Sequence, residues 1–367
     1  MFATSRRALR GPGRPASSAI AAGLYLFGLL AFCEVFSRVA LVVPAVLKHV
    51  AGTCDAAWRL RWVSRELHTG GAYAFDAYSP TRGWTLRSNV HGWRAFDKGV
   101  LNSNSHGLRG RREYTYDKPA GVRRIEVFGD SFTFGEEVGD DATFAAQLQR
   151  LMGSSAEVMN FGVHGYGHDQ MLLYFREEGV RYQPDLVVLG FVDWDMERNL
   201  LEFRDFAKPR FDLAGDRLLL RNFPVPSPDQ VLAAEHYRSR FVDLLAILYQ
   251  GIRRQLGRTQ ADSERVTTAL LDAFRENVAA AGAKLAIAYL PVEGELLPEA
   301  DATRDGESYV AHYCQQHGVP AIDLRPAFVG LEQHGEHFRV RGHWNQREHH
   351  IAAEALQAGL RQARLLP

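Results

Sequence analysis

The chain has 367 residues, enough for one large domain with appendages or for two modest ones. Hydrophobic residues make up 46 % and charged residues 23 %, ordinary proportions for a chain that buries a core. Lys+Arg and Asp+Glu stand at 43 each, so no global field favours a nucleic acid or another polyelectrolyte.

The charge is uneven locally. Arg6, Arg7, Arg10 and Arg14 form a basic tail over residues 1–14 that holds no acid, and Pro15 to Cys33 then carries no charge at all. That uncharged length is roughly the 17–25 residues that cross a bilayer. Arginines before it and Glu34 after it predict a cytoplasmic N-terminus with the remainder outside. A cleaved leader would need a small-x-small site, which Phe32-Cys-Glu-Val-Phe36 does not supply. The bulky Phe32 also argues against lipidation of Cys33. An uncleaved signal anchor over 15–50 is therefore favoured over a cleaved signal or a buried helix, with Pro44 disturbing its extension. The chain is thus expected to be a single-pass membrane protein with its main domain periplasmic or otherwise extracytoplasmic. Cys33, Cys54 and Cys314 match no metal spacing, and a Cys54–Cys314 disulfide is left open.

Residues 51–121 are rich in Gly, Arg, Tyr and Trp with little helical period, and read as strands and loops wrapping an edge of the domain C-terminal to them. From Val122 to the C-terminus, strands and helices alternate, the pattern of a parallel sheet covered on both faces. Strands are predicted at 124–128, 157–161, 185–191, 284–290 and 319–323. Helices are predicted near 142–153, 168–180, 265–282, 305–317 and 346–363. The insertion at about 200–262 holds a β-hairpin over 208–220 and a helix over 233–256. Its length suits a lid or substrate wall.

Three stretches carry the chemistry. In Arg124-Ile-Glu-Val-Phe-Gly-Asp-Ser-Phe-Thr-Phe-Gly135, a strand runs into a sharp turn that places Ser131 at the carboxyl edge of a sheet. Taken alone, this is equally an ordinary turn with a capping serine. Asn160-Phe-Gly-Val-His-Gly-Tyr-Gly167 comes directly after the second strand, and its glycines let backbone amides approach a ligand. Arg341-Gly-His343-Trp-Asn345 precedes the last helix. It offers an imidazole, the group whose pKa suits it to activate a serine at neutral pH.

In this order, and with the upstream Asn102-Ser-Asn-Ser-His-Gly-Leu-Arg-Gly110 stretch, these blocks resemble the SGNH (GDSL-type) hydrolase family from about Leu101 to the C-terminus. The resemblance implies a three-layer α/β/α, flavodoxin-like parallel sheet. It implies Ser131 as nucleophile and His343 as general base, with the amides of Ser131 and Gly165 in the oxyanion hole. It further implies a membrane-anchored esterase or O-acyltransferase acting on acyl groups, above all acetyl, of an extracytoplasmic carbohydrate. No metal or organic cofactor is needed.

Two positions depart from the family pattern. Trp194 stands where an oxyanion asparagine is expected, with its indole N–H or a shifted use of Asn199 as substitutes. Val340 and Arg341 stand where the family has its aspartate, leaving Glu336 and Asp323 as candidate orienting acids. A catalytically weak domain serving as a binding or assembly subunit of a membrane complex is therefore the alternative. A buried carboxylate on His343 would count against it, and a His343 too far from Ser131 to bond would favour it. Other chemistries fit less well. There is no Gly-x-Ser-x-Gly elbow and no phosphate-binding Gly-x4-Gly-Lys loop. The histidines at 334, 337, 343, 349 and 350 match no zinc spacing, and His164 and His168 read as pocket walls. Asp193 and Asp195, two apart on an extended chain, would point to opposite faces.

Overall fold

Strand β5 (Arg123–Gly129) has no polar face to turn toward water: its residues from Arg124 onward are all buried. The same holds for β6 (Ala156–Gly162) and β7 (Leu186–Phe191), as expected where helices cover both sides of a parallel sheet. With β10 (Lys284–Tyr289) and β11 (Ala321–Asp323) they form one five-stranded sheet in the order β11-β10-β7-β5-β6, parallel throughout. The computed structural model describes residues 16–42, 54–69, 75–96, 99–292, 305–333 and 342–367.

Side chains alternate across the sheet with a period of two. Val187, Leu189 and Phe191 enter one core with Phe128, Phe161, Phe175 and Phe274. Leu186 and Val188 enter the other with Val127, Phe144, Leu148 and Leu356. The first core is closed by α5 (His168–Glu177), α9 (Arg258–Ala280) and α10 (Asp305–His317). The second is closed by α4 (Phe144–Met152), α11 (Arg325–Gln333) and α12 (Gln346–Gln362). The result is a three-layer α/β/α architecture with flavodoxin-like strand order. Its topological switch point lies between β5 and β7, where such sheets place ligands.

The lead-in differs from expectation. Two hairpins are present, β1 (Asp76–Ser79) with β2 (Gly83–Leu86) and β3 (Trp93–Phe96) with β4 (Gly99–Leu101). A helix, α2 (Asp55–Thr69), precedes them where only strands and loops were expected. It buries Ala57, Trp62 and Arg59, the last paired through Nη2 with Asp243 Oδ1 at 2.6 Å and also bonded to Glu235. A buried arginine with two carboxylates makes this segment helical in a way that apolar periodicity does not show.

The insertion carries the hairpin β8 (Arg210–Ala214) and β9 (Arg217–Arg221) in the expected place. The single helix expected over 233–256 is instead two, α7 (Pro228–Glu235) and α8 (Arg240–Gln255), with Ser239 capping the second through Val242 N. α1 (Ala16–Val42) contains an apolar span, Ser18–Leu41, long enough to cross a membrane. The basic tail and Pro44 lie outside the described residues. Cys54 and Cys314 are both buried and free, so they form no disulfide.

The short helix α3 (Ser131–Phe134) lies directly on the strand ends. A Cβ at Gly162 would stand 2.3 Å from the Phe134 amide nitrogen, and one at Gly129 would collide with Thr133. Backbone cannot yield as a side chain can. Gly162→Ala is therefore expected to destabilise the protein by about 1–3 kcal/mol, measured as a lower urea midpoint for the full-length protein in detergent.

Candidate active site

Ser131 is the first residue of α3, immediately after β5. Asp130 caps the helix by accepting from the Phe132 amide at 2.9 Å, and Gly135 ends it in the left-handed region at φ 82°. Asn160 of β6 donates to the Thr133 carbonyl at 2.8 Å, tying the second strand to the same turn. The loop after α3 is held by Arg109. Its guanidinium donates to the carbonyls of Phe134, Gly135 and Val138 and is neutralised by Asp140 at 2.8 Å. The Asn102–Gly110 stretch thus clamps the segment carrying Glu136.

His343 arrives from the far end of the chain. Its neighbours fix it: Trp344 is buried and donates to the Pro291 carbonyl at 3.0 Å, and Asn345 caps α12 in a capping box with Glu348. His343 Nε2 lies 2.8 Å from Ser131 Oγ and 2.9 Å from Glu136 Oε2. Both partners therefore share one ring nitrogen. Burial disfavours the His343 imidazolium, but the hydrogen bond and charge of Glu136, backed by Asp130 and Glu137, outweigh it and raise the pKa above the ordinary 6.5. Burial likewise pushes Glu136 up, yet the bond and charge of His343 and the charge of His164 hold its carboxyl below 4.5.

Of the two acids singled out from the chain, Asp323 is exposed and accepts from the Arg325 amide at the start of α11. Glu336 lies outside the described residues, as do Val340 and Arg341. The acid beside His343 is Glu136, five residues after the serine. Only the acidic pair Glu136-Glu137 behind the serine turn hints at it in the chain.

Gly165 lines the same cleft as Ser131 and His343. Among the described residues, no acceptor takes the backbone N–H of Ser131 or of Gly165, so both can meet a developing oxyanion. Trp194 is 41 % exposed at the cleft, with its indole N–H directed at Asp130 Oδ2, 3.4 Å away. Asn199 is fully buried and its amide is committed to Thr267 and His168, so it does not reach the cleft. Arg198, from α6 (Asp195–Arg198), bonds Asp130 Oδ2 at 2.9 Å and the Tyr166 carbonyl at 3.0 Å. One buried cation thereby joins the loops at the carboxyl ends of β5, β6 and β7.

The cleft encloses about 720 Å³ and is strongly charged: Glu136, Glu137, Glu197 and Asp205 face Arg198, Arg204 and Arg254. Among the described residues, its apolar lining is Trp58, Trp194 and Leu201. His164 lines the same cleft, with Nε2 at 2.9 Å from both oxygens of Asp76. Burial opposes its charge, but Asp76, Glu136 and Asp205 lift its pKa to about 9. His168 is buried against Phe191 and burial drives its pKa down to about 3, which keeps it neutral. Among the described residues, no group of three or more His, Cys, Asp or Glu could hold a metal ion.

No family model matches the chain, and no curated protein matches it. Several solved structures show a distant likeness. A member of the lipolytic G-D-S-L family from Veillonella parvula is 13 % identical, with a TM-score of 0.39 over 65 % of this chain and 97 % of its own. The acetyl xylan esterase AlAXEase is 16 % identical, with a TM-score of 0.39 over 65 % and 99 %. A catalytic mutant of an acetylxylan esterase from Geobacillus stearothermophilus is 13 % identical, with a TM-score of 0.40 over 65 % and 95 %.

The His164–Asp76 pair makes stability depend on pH. A folded pKa of about 9 against 6.5 unfolded gives stabilisation that is complete below 6.5 and lost as pH rises through 9. The loss is at most about 3 kcal/mol. Urea denaturation of the full-length protein between pH 6.5 and 9 should show this decline, and Asp76→Asn should flatten it.

Proposed function

We propose that this chain is a membrane-anchored serine esterase or O-acyltransferase of SGNH type, acting on short acyl groups of an extracytoplasmic carbohydrate. One observation carries the reading: Ser131 Oγ and His343 Nε2 stand 2.8 Å apart at the carboxyl edge of the sheet, in a cleft bearing two untaken amides.

Ser131 Oγ attacks the acyl carbonyl carbon while its proton passes to His343 Nε2. The carbonyl oxygen, now negative, rests on the N–H groups of Ser131 and Gly165. Glu136 stabilises the imidazolium from the same side, and the exposed Trp194 shapes the rim rather than supplying an oxyanion donor. Collapse of the intermediate breaks the ester bond, and the departing sugar oxygen takes the proton from Nε2. Water or a second hydroxyl then attacks the acyl-serine, giving hydrolysis or transfer.

The lining supports the substrate class. A cleft with seven charged side chains and two tryptophans suits hydroxyls and sugar faces, and among the described residues it shows no apolar channel for a long acyl chain. The insertion that contributes Leu201, Arg204, Asp205 and Arg254 is its wall. The apolar span of α1 supports the anchor, and the arginines before it support a cytoplasmic N-terminus. The buried carboxylate on His343 and the short Ser131–His343 distance both weigh against an inactive assembly subunit.

With full-length protein in detergent and p-nitrophenyl acetate as substrate, Ser131→Ala and His343→Ala should each lower kcat/KM by at least about 10³-fold. A Ser131→Ala protein as fast as the wild type would overturn the reading. Because Glu136 raises the His343 pKa, and only neutral imidazole accepts the proton, the acid limb of kcat/KM should lie above pH 6.5. Glu136→Gln should move that limb to lower pH by about one unit or more.

A further inference from the structure

Among the described residues, helix α8 leaves a continuous apolar face uncovered. Val242, Leu245, Leu248, Tyr249, Ile252 and Leu256 are each between 49 % and 63 % exposed. At about 100° per residue they occupy an arc of about 120°. The opposite side of the helix holds Asp243 and Ile247, both buried. Arg238 precedes the helix, and Arg253 and Arg258 lie at its far end. No carboxylate lies on the exposed arc.

The position of α8 relative to α1 says what covers this face. Glu34, inside the apolar span, accepts from Ser239 Oγ at 2.7 Å and from the amides of Arg240 and Phe241 at 3.1 Å, so it caps α8 from another element. Seven residues further along each helix, Leu41 and Ile247 share one cluster. The two helices therefore run side by side in the same direction. The first two turns of α8 flank the last two turns of the span. Val35, Phe36 and Val39 of α1 are themselves exposed, so the two apolar surfaces lie at one level.

We infer that the apolar face of α8 is buried in the lipid interface, making it a second membrane contact beside α1. The inference rests on the reading of α1 as a membrane-spanning helix. Two physical points favour lipid over a second copy of the chain. The arc is wider than the a/d seam of a coiled coil and matches the broad face of an interfacial helix. The span of 24 residues is about 36 Å long against a hydrocarbon core of about 30 Å, and such excess is relieved by tilt. A tilt of α1 toward the open side of α8 lowers the rest of the stripe into the headgroup region.

The test uses the full chain in vesicles of phosphatidylethanolamine and phosphatidylglycerol, with photoreactive p-benzoylphenylalanine placed singly at Leu24, Ile252 or Glu276. After irradiation, mass spectrometry distinguishes lipid adducts from protein dimers. Lipid adducts at both 24 and 252, with none at the exposed Glu276 site, are the expected result. Adducts at 24 but not at 252 would overturn the lipid contact while leaving the anchor standing. A cross-linked dimer at 252 would replace lipid by a second copy. No lipid adduct at 24 would remove the anchor and this inference together, without touching the Ser131 chemistry.

Discussion

Ser131 reaches the sheet edge because a helix rests on bare backbone. At Gly129 and Gly162 a single methyl group would collide with α3, at the Thr133 side chain and at the Phe134 amide respectively. The strand ends and the turn can meet only at this separation. Everything downstream depends on that seating: Asn160 can bond Thr133, Arg109 can gather the carbonyls of Phe134, Gly135 and Val138, and the loop bearing Glu136 folds back over the serine. The blocks that look separate along the chain are one mechanical unit.

The electrostatics of the cleft are layered in the same way. Asp130 lies fully buried beneath the serine and is held by Arg198, whose charge also fixes the glycine loop through Tyr166. Above it, Glu136 and Ser131 compete for one nitrogen of His343. On the proposed mechanism, a carboxylate on the same nitrogen would stabilise the imidazolium but also favour its presence before reaction, trading readiness at low pH for a well-held proton after transfer.

The sheet was legible in the chain because its strands are buried on both faces, so Leu186-Val-Val-Leu-Gly-Phe191 and its neighbours read as apolar runs between helices. The residues Ser131, His343 and Gly165 stood out by their flanking glycines and by the His-Trp-Asn ending. The acid beside His343 did not, because proximity along the chain points to Glu336 and Asp323 whereas the imidazole lies over α3. Helix α2 was hidden for a related reason: its buried face includes Arg59, whose partners Glu235 and Asp243 lie far along the chain. The break between α7 and α8 had a local signal in Ser239, a capping residue, overridden by the apolar run behind it.

If α1 is the anchor proposed above, the contact between Glu34 and the start of α8 changes what kind of attachment it provides. A flexible tether lets a domain wander through a volume set by linker length. A helix that caps α8 through Glu34 and packs against it would, on the proposed reading, fix the height and orientation of the α/β domain instead. Arg254, at the other end of α8, lines the cleft beside the serine. On the proposed reading of α1 as an anchor, the contact between α1 and α8 would hold the Ser131 cleft close to the lipid surface. Esters near the bilayer would then be reached in preference to identical esters free in solution.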